Sequence, residues 1–447
     1  MAGAANLPWF QFVFLVVFNM RFGFFTLGCK VNQYETQAME QLLRSRGHEI
    51  GSFESDACDC YVINTCSVTA VSDKKSRNLI RRARKLNPDA LVAVCGCYAQ
   101  VHPEQIRALG ADVIAGTNDR AAFCRMLEQA AAEKRHLESI DDPRARRGFE
   151  LLPAGGLEAR TRAMLKVQDG CQNYCTYCII PYTRGAVRSM PVSDAVEQAR
   201  ALAASGYREI VVTGIEVASW GEDLPGKPSP RTLISAICAA APDVRIRLGS
   251  LEPRIVDPEF CAALSGFKNL CPQFHLSLQS GCDRVLRRMN RHYDTARFYE
   301  SVRLLRDAFP GCAVTTDLIV GFPGETEEDF AQTLDFLRRC GFAAMHIFPY
   351  SRRDGTPAAR MPEQLTNDEK ADRAARAAAV AEELSREYRA AMIGSVVPVL
   401  FEQAEGDCYT GHAPNYVKCC LKGAAQQNEL ADVRVTALCA DGVLVER

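Results

Sequence analysis

Three cysteines, Cys171, Cys175 and Cys178, stand in the run Asp-Gly-Cys-Gln-Asn-Tyr-Cys-Thr-Tyr-Cys. Thiolates at C-x3-C-x2-C spacing can hold three corners of an iron-sulfur cube and leave the fourth iron open to bind and activate a substrate. A structural zinc site normally has four protein ligands, and the ferredoxin run is C-x2-C-x2-C with a distant partner. The spacing here matches neither. The surrounding pattern supplies a scaffold. Six strand candidates, 163–168, 209–213, 244–248, 273–278, 313–320 and 344–348, recur with helical patterns or connecting loops between them. Six β/α repeats rather than eight predict an incomplete parallel barrel over 159–391. The cysteine run falls in the loop after its first strand, where barrels build active sites.

Upstream, strands at 21–27, 60–64, 91–94 and 113–115 alternate with helices at 32–46, 72–86 and 121–129. This predicts a small doubly wound parallel α/β domain over 21–132. Residues just past the carboxyl ends of such strands converge on one edge. Cys29, Cys66 and Cys97 all occupy that position, so three distant thiols become a candidate second cluster site. Cys58, Cys60 and Cys95 lie near enough to compete as ligands. The polar stretch 133–158 reads as a linker. After a helix over 368–391, short apolar runs in 392–447 predict a small β-barrel, either a binding module or a packing unit.

The chain has 447 residues, 47% hydrophobic and 24% charged, enough for several domains. With 53 Lys+Arg against 54 Asp+Glu, any nucleic acid must be met by local basic patches. The 20 cysteines are scattered and follow no secretory signal, which favours reduced thiols in the cytoplasm. The apolar run 9–18 is too short to span a bilayer, so no membrane partner is expected. Met20 follows it, and translation is expected to start there, leaving 1–19 as an upstream extension.

The cysteine run, with an aromatic before its last cysteine, resembles the radical S-adenosylmethionine superfamily. Asp169-Gly170, Ile179-Ile180-Pro181-Tyr182, Arg184-Gly185 through Arg188-Ser189, the run from Arg247 to Pro253 and that from Asp317 to Thr326 resemble its methylthiotransferases. Thr26-Leu27-Gly28-Cys29-Lys30-Val31-Asn32-Gln33 and the run from Phe348 to Ala358 resemble the MtaB-type branch, which acts on N6-threonylcarbamoyladenosine in tRNA. The resemblance implies an amino-terminal methylthiotransferase domain, a partial (β/α)6 radical barrel and a TRAM-like RNA-binding barrel.

It also implies two 4Fe-4S clusters. One, on Cys171, Cys175 and Cys178, would cleave S-adenosylmethionine; the other, on Cys29, Cys66 and Cys97, would carry sulfur. Motif matching selects Cys97 over Cys95 and leaves Cys58 and Cys60 unassigned. S-adenosylmethionine contacts are expected at Gly214, Glu216, Ser277, Gln279, Ser280 and Gly321, although Asp317 stands where the superfamily's leading glycine is usual. A turn or capping role is the bland reading of each.

The implied reaction turns C2–H of that adenosine, at position 37 of tRNA, into C2–SCH3 with two S-adenosylmethionine molecules. RNA contacts are expected at Arg287, Arg288 and Arg291, and Arg352 and Arg353 suit a modification bearing a carboxylate. The basic run from Lys74 to Lys85 is a nucleic-acid candidate or a solvated face. Expected partners are tRNA and a small reductant such as flavodoxin or ferredoxin. Alternatives are the isopentenyladenosine and ribosomal-protein branches and, from a different class, a non-catalytic iron-sulfur RNA-binding or electron-transfer protein.

Overall fold

The computed structural model describes residues 19–54, 57–156 and 161–447. The 1–18 stretch lies outside them, and with it most of the extension expected ahead of Met20. The amino-terminal sheet has six parallel strands, Arg21–Thr26, Glu49–Ser52, Cys60–Thr65, Leu91–Gly96, Val113–Ala115 and Leu137–Ser139, in the order 2-1-3-4-5-6. The central strand Cys60–Thr65 is buried along its whole length because helices cover both faces. Tyr61 and Ile63 pack with Leu79, Val92 and Tyr98 on one side. Cys60 and Val62 pack with Phe22, Leu43 and Phe123 on the other, as the two-residue period of a strand requires.

Two strands were not legible beforehand. Glu49–Ser52 and Leu137–Ser139 are edge strands, short and largely solvent-facing, so neither needs the apolar run that marks a buried strand. The second lies inside the expected linker. Beyond it the chain stays pinned to the domain: Tyr34 Oη donates to Leu152 O at 2.7 Å, and Glu150 accepts from the Arg120 amide. Residues 137–156 act as a strap.

The central domain is a parallel, incomplete barrel in two sheets. Arg162–Lys166, Glu209–Thr213 and Arg245–Leu248 form one. Ser250–Leu251, Gln273–Gln279, Ala313–Val320 and Ala344–Pro349 form the other. The third of the six strands changes partner at Gly249. Ala163, Leu165, Ile210, Val212, Ile246 and Leu248 face the outer helices, which turns the intervening residues toward the interior. The first and sixth strands do not pair; helix Lys30–Arg44 of the amino-terminal domain packs along the first, and helix Asn367–Ala390 along the sixth.

The carboxyl-terminal strands Val396–Glu405, Cys408–His412, Lys418–Leu421, Leu430–Leu438 and Val443–Glu446 close into a barrel. It docks through Tyr416, whose ring stacks on His412 at 4.7 Å and sits 4.5 Å from the Arg247 guanidinium. Cys408 and Cys420 form a disulfide between neighbouring strands, and the other 18 cysteines are not disulfide-bonded, so there is no disulfide framework. Among the described residues no helix is long and apolar enough to cross a membrane.

Candidate active site between two cysteine trios

The Cys171–Cys178 loop leaves the first barrel strand through Gly170, at φ 76°, where a Cβ would stand 1.9 Å from Ala186 O. Glycine is therefore required. The loop is pinned from two sides: Thr176 N donates to Met289 O at 3.0 Å, and Ala358 N donates to Thr176 O at 2.8 Å. Burial pushes the Cys171 thiol up to about 12, with the Glu216 carboxylate adding to it. Burial also raises Cys178, reinforced by Cys175 and Cys171, so the three thiols share one locus. Such mutual opposition to ionisation is relieved by a bound cationic centre.

The residues expected to hold S-adenosylmethionine surround this loop. Glu216 follows the second strand, near Asn173 Nδ2 at 3.4 Å, and burial pushes its carboxyl up to about 7. A Cβ on Gly214 would lie 2.9 Å from Gln168 Oε1 and 3.1 Å from its backbone carbonyl oxygen, so a side chain there would crowd Gln168. Gln279, at φ 68°, lines a cavity beside Cys178. Ser277 presents its carbonyl to Arg291 Nη2 at 3.4 Å. Ser280 Oγ accepts from Cys282 N at 3.3 Å in a turn, and Gly321 N donates to Glu325 Oε2 at 2.6 Å. Ser280 and Gly321 thus have capping and turn partners.

Cys29 is the N-cap of helix Lys30–Arg44, Cys66 follows the third strand, and Cys97 opens helix Cys97–Val101 after the fourth. A Cβ on Gly28, at φ 100°, would lie 2.9 Å from Cys66 Sγ. Burial pushes Cys66 up to about 12, and Cys97 and Cys29 add to it. The nearby cysteines are placed elsewhere. Cys58 and Cys60 stand at the opposite, amino end of the third strand, and Cys95 packs into the core with Cys60 and Phe123. Among the described residues, no three Cys, His, Asp or Glu side chains are arranged to hold a single metal ion.

Between the trios runs a buried charge network that the sequence reading missed. Arg184 Nη1 donates to Glu35 Oε1 at 2.7 Å and to Asp169 Oδ1 at 3.1 Å, and Nη2 donates to Asn32 Oδ1 at 2.8 Å. Lys166 Nζ bonds Glu35 and Asp169, and Arg120 Nη2 bonds Glu35 at 2.9 Å. Burial opposes the Glu35 charge, but Arg184, Arg120 and Lys166 together hold its carboxyl well below the usual range. Helix Ile180–Arg184 packs on helix Cys97–Val101. Burial pushes the Cys97 thiol up and the facing Arg184 guanidinium pulls it back. Arg184 Nε is buried without a hydrogen-bond partner, a free donor suited to a sulfur-rich acceptor beside Cys97. Glu35 and Arg184 are 149 residues apart, and no local pattern pairs them.

A cavity of about 240 Å³ opens between the barrel and the amino-terminal domain. Cys178, Ile179, Gln279 and Phe348 line it from the barrel, and Val68 and Thr69, just past Cys66, from the amino-terminal domain. Its mouth is latched: Ala70 N donates to Ser351 Oγ at 3.0 Å, and Arg353 Nη2 donates to Ser67 Oγ at 2.9 Å and Asp73 Oδ2 at 2.5 Å. Arg353, 6% exposed, is thus engaged in an interdomain pair. Arg291 is likewise turned inward and donates to Cys175 Sγ at 3.1 Å. Arg288 bonds Pro323 O at 3.1 Å and approaches Glu363 at 3.4 Å. Arg287 and Arg352 are exposed.

Residues 165–337 match the Radical SAM superfamily, and residues 21–116 match Uncharacterized protein family UPF0004. The chain is 41% identical over 406 residues to threonylcarbamoyladenosine tRNA methylthiotransferase MtaB of Bacillus subtilis, covering 90% of each. It is 35% identical to a tRNA-2-methylthio-N(6)-dimethylallyladenosine synthase of Acidothermus cellulolyticus, covering 92% of this chain and 82% of that one. The structure resembles that of the radical S-adenosylmethionine methyltransferase TsrM of Kitasatospora setae, with a TM-score of 0.56 at 16% identity over 76% of this chain and 74% of the other. At that identity the likeness speaks for the fold alone. Extensive identity to the first relative, two family matches and the paired trios converge: the chain belongs to the MtaB type of the radical S-adenosylmethionine methylthiotransferase family.

Proposed function

We propose that the protein converts C2–H of N6-threonylcarbamoyladenosine, at position 37 of tRNA, to C2–SCH3 at the expense of two S-adenosylmethionine molecules. Membership of the family implies a 4Fe-4S cluster and S-adenosylmethionine. Cys171, Cys175 and Cys178 would hold that cluster, and Cys29, Cys66 and Cys97 a second. When bound, the first supplies the electron that makes a deoxyadenosyl radical from one S-adenosylmethionine, and the second supplies sulfur methylated by the other. The observation that carries this reading is the shared cavity, with Cys178 on one wall and the segment after Cys66 on the other.

The chain's own residues orient and shield. Glu216, half-buried beside Cys171, would accept a hydrogen bond from the amino group of S-adenosylmethionine, with Gly214, Ser277 and Gln279 framing the nucleoside. Ser280 and Gly321 contribute by shaping turns. Ile179, Ile319 and Phe348 give the cavity apolar walls that exclude water from a radical step. Arg352, exposed next to the cavity residue Ser351, is the cation left for the threonyl carboxylate, and Arg287 and Arg288 sit toward the RNA. The carboxyl-terminal barrel serves as an RNA-binding TRAM-like module. A flavodoxin- or ferredoxin-like reductant and a cytoplasmic site of action complete the reading.

Nucleoside mass spectrometry of tRNA from a deletion strain tests it. The 2-methylthio derivative of threonylcarbamoyladenosine should vanish and return on complementation. Loss of the isopentenyl derivative instead would move the substrate to that branch, and thiomethylation of a ribosomal protein to the third. Cys175→Ala should abolish deoxyadenosine formation. Cys97→Ala should spare some of it while abolishing thiomethylation. A wild-type protein that never cleaves S-adenosylmethionine would sink the enzymatic reading in favour of a binding or electron-transfer role.

A further inference from the structure

Helix Ala70–Leu86 starts at the cavity. Its N-cap, Thr69, lines the wall, and its first amide is tied to Ser351 Oγ across the mouth. From there the helix runs outward over the surface. Its inner face buries Asp73, Ser76, Leu79, Ile80 and Ala83. The outer face presents Val71, Lys74, Lys75, Asn78, Arg81 and Lys85, all exposed. Lys74, Asn78, Arg81 and Lys85 are spaced at i, i+4, i+7 and i+11, which makes one stripe along the axis. The helical rise sets its two ends roughly 16 Å apart.

The cations of this helix fall into two groups. Arg77 is engaged by Tyr98 Oη at 2.9 Å, Arg84 by Asp112 Oδ2 at 2.6 Å, and Arg82 by Glu54. Lys74, Lys75, Arg81 and Lys85 have no carboxylate within ion-pair distance among the described residues, and Arg81 reaches only Asn78 Oδ1 at 3.4 Å. Of these unpaired cations Lys74, Arg81 and Lys85 lie on the stripe and Lys75 stands beside it on the same exposed face. At its cavity end, apolar groups take over: Val68 is 53% exposed, Val71 63% and Phe348 44%.

We infer that this stripe is a docking track for the sugar-phosphate backbone of the RNA strand that brings the target base into the cavity. The inference rests on the RNA reading above and adds to it a surface on the amino-terminal domain. A chain of net charge −1 has no global field to attract RNA, so attraction must come from a local run of unpaired cations. The order along the helix suits a loop nucleotide being delivered. Apolar groups at the mouth take the splayed base and its neighbour, and cations farther out follow the phosphates. The stripe is narrow and flanked by cations already engaged, Arg82 with Glu54 and Arg84 with Asp112, which fits a single strand better than a broad anionic face.

The test uses the full-length protein and a synthetic anticodon stem-loop RNA carrying the target adenosine. The dissociation constant is measured by fluorescence anisotropy across a series of KCl concentrations. Each phosphate contact contributes about 0.7–0.9 to the log–log salt slope. Replacing Lys74, Lys75, Arg81 and Lys85 together by Gln should therefore make the slope shallower by about 3 and weaken binding at least tenfold at low salt. Lys268→Gln, at the opposite end of the barrel, should leave the slope unchanged. If the parent protein binds the RNA and the quadruple variant keeps its slope, the track is overturned and the RNA reading stands. The track also falls if Lys268→Gln lowers the slope as much per charge. If the parent does not bind the RNA at all, the RNA reading falls and the track with it. All four positions are exposed, and an unchanged melting profile confirms that the variant folds.

Discussion

Arg184 Nη1 lies 2.7 Å from Glu35 Oε1, both side chains fully buried, and this contact joins the segment behind one cysteine trio to the helix behind Cys29 of the other. A buried ion pair is poor evidence of net stabilisation, because desolvation offsets most of the attraction. Its geometry is the informative part. With Asp169 leading into Cys171 and Asn32 beside Cys29, the network sets the separation and orientation of the two trios.

Arg184→Ala leaves Glu35 and Asp169 without a main partner in a dry interior and should cost about 3–5 kcal/mol, read from urea denaturation. Acid should erode the same network. The Glu35 carboxyl is held below its unfolded value, so its contribution is present above about pH 4.3 and is lost as pH falls through lower values. A Glu35→Gln protein should lose less stability on acidification than the parent.

Glu35 and Arg184 both act on Cys97, with opposite signs. In full-length protein lacking Cys171, Cys175 and Cys178, only a cluster on Cys29, Cys66 and Cys97 would remain to titrate. Reduction adds negative charge, so Arg184→Gln should lower its midpoint potential and Glu35→Gln should raise it. A tenfold change in the reduced-to-oxidised ratio corresponds to about 59 mV for one electron. Shifts of the same sign in both variants, at unchanged iron content, would refute an electrostatic role for the pair.

Burial pushes the Glu216 carboxyl up to about 7. Between an unfolded value of about 4.3 and that one, the folded state keeps a proton the unfolded state has released. The group's contribution is therefore complete below about pH 4 and is lost as pH rises toward neutrality. In cluster-free protein, Glu216→Gln should flatten this decline, measured as urea midpoints across a pH series.

The Arg353–Asp73 pair latches the loop after the sixth barrel strand to the segment that follows Cys66. Asp73→Asn should loosen the cavity wall without touching any cysteine. The expected result is uncoupling, a several-fold rise in deoxyadenosine released per thiomethylated product. An unchanged ratio would make the latch purely structural.

Strands with a clear apolar pattern and a covering helix were legible in advance; Val113–Ala115 was read at its observed bounds. The edge strands Glu49–Ser52 and Leu137–Ser139 were not, since pairing by backbone alone leaves no side-chain period. The neighbours Arg352 and Arg353 show another limit. They are chemically alike, and only packing against Asp73 makes one exposed and the other 6% exposed. The contact of Arg291 with Cys175, 116 residues away, is equally invisible in the local pattern.

The spacing of Cys171, Cys175 and Cys178 is local, so the sequence by itself determined that trio, the parallel α/β organisation and, through strand ends, the grouping of Cys29, Cys66 and Cys97. What only the tertiary structure decided is how the trios face each other. That depends on Arg184 meeting Glu35 across 149 residues and on Arg353 meeting Asp73 across 280. Local sequence carries backbone preference and side-chain period, whereas the partner of a buried charge is set by which surfaces the whole chain brings together, and no window along the sequence contains that information.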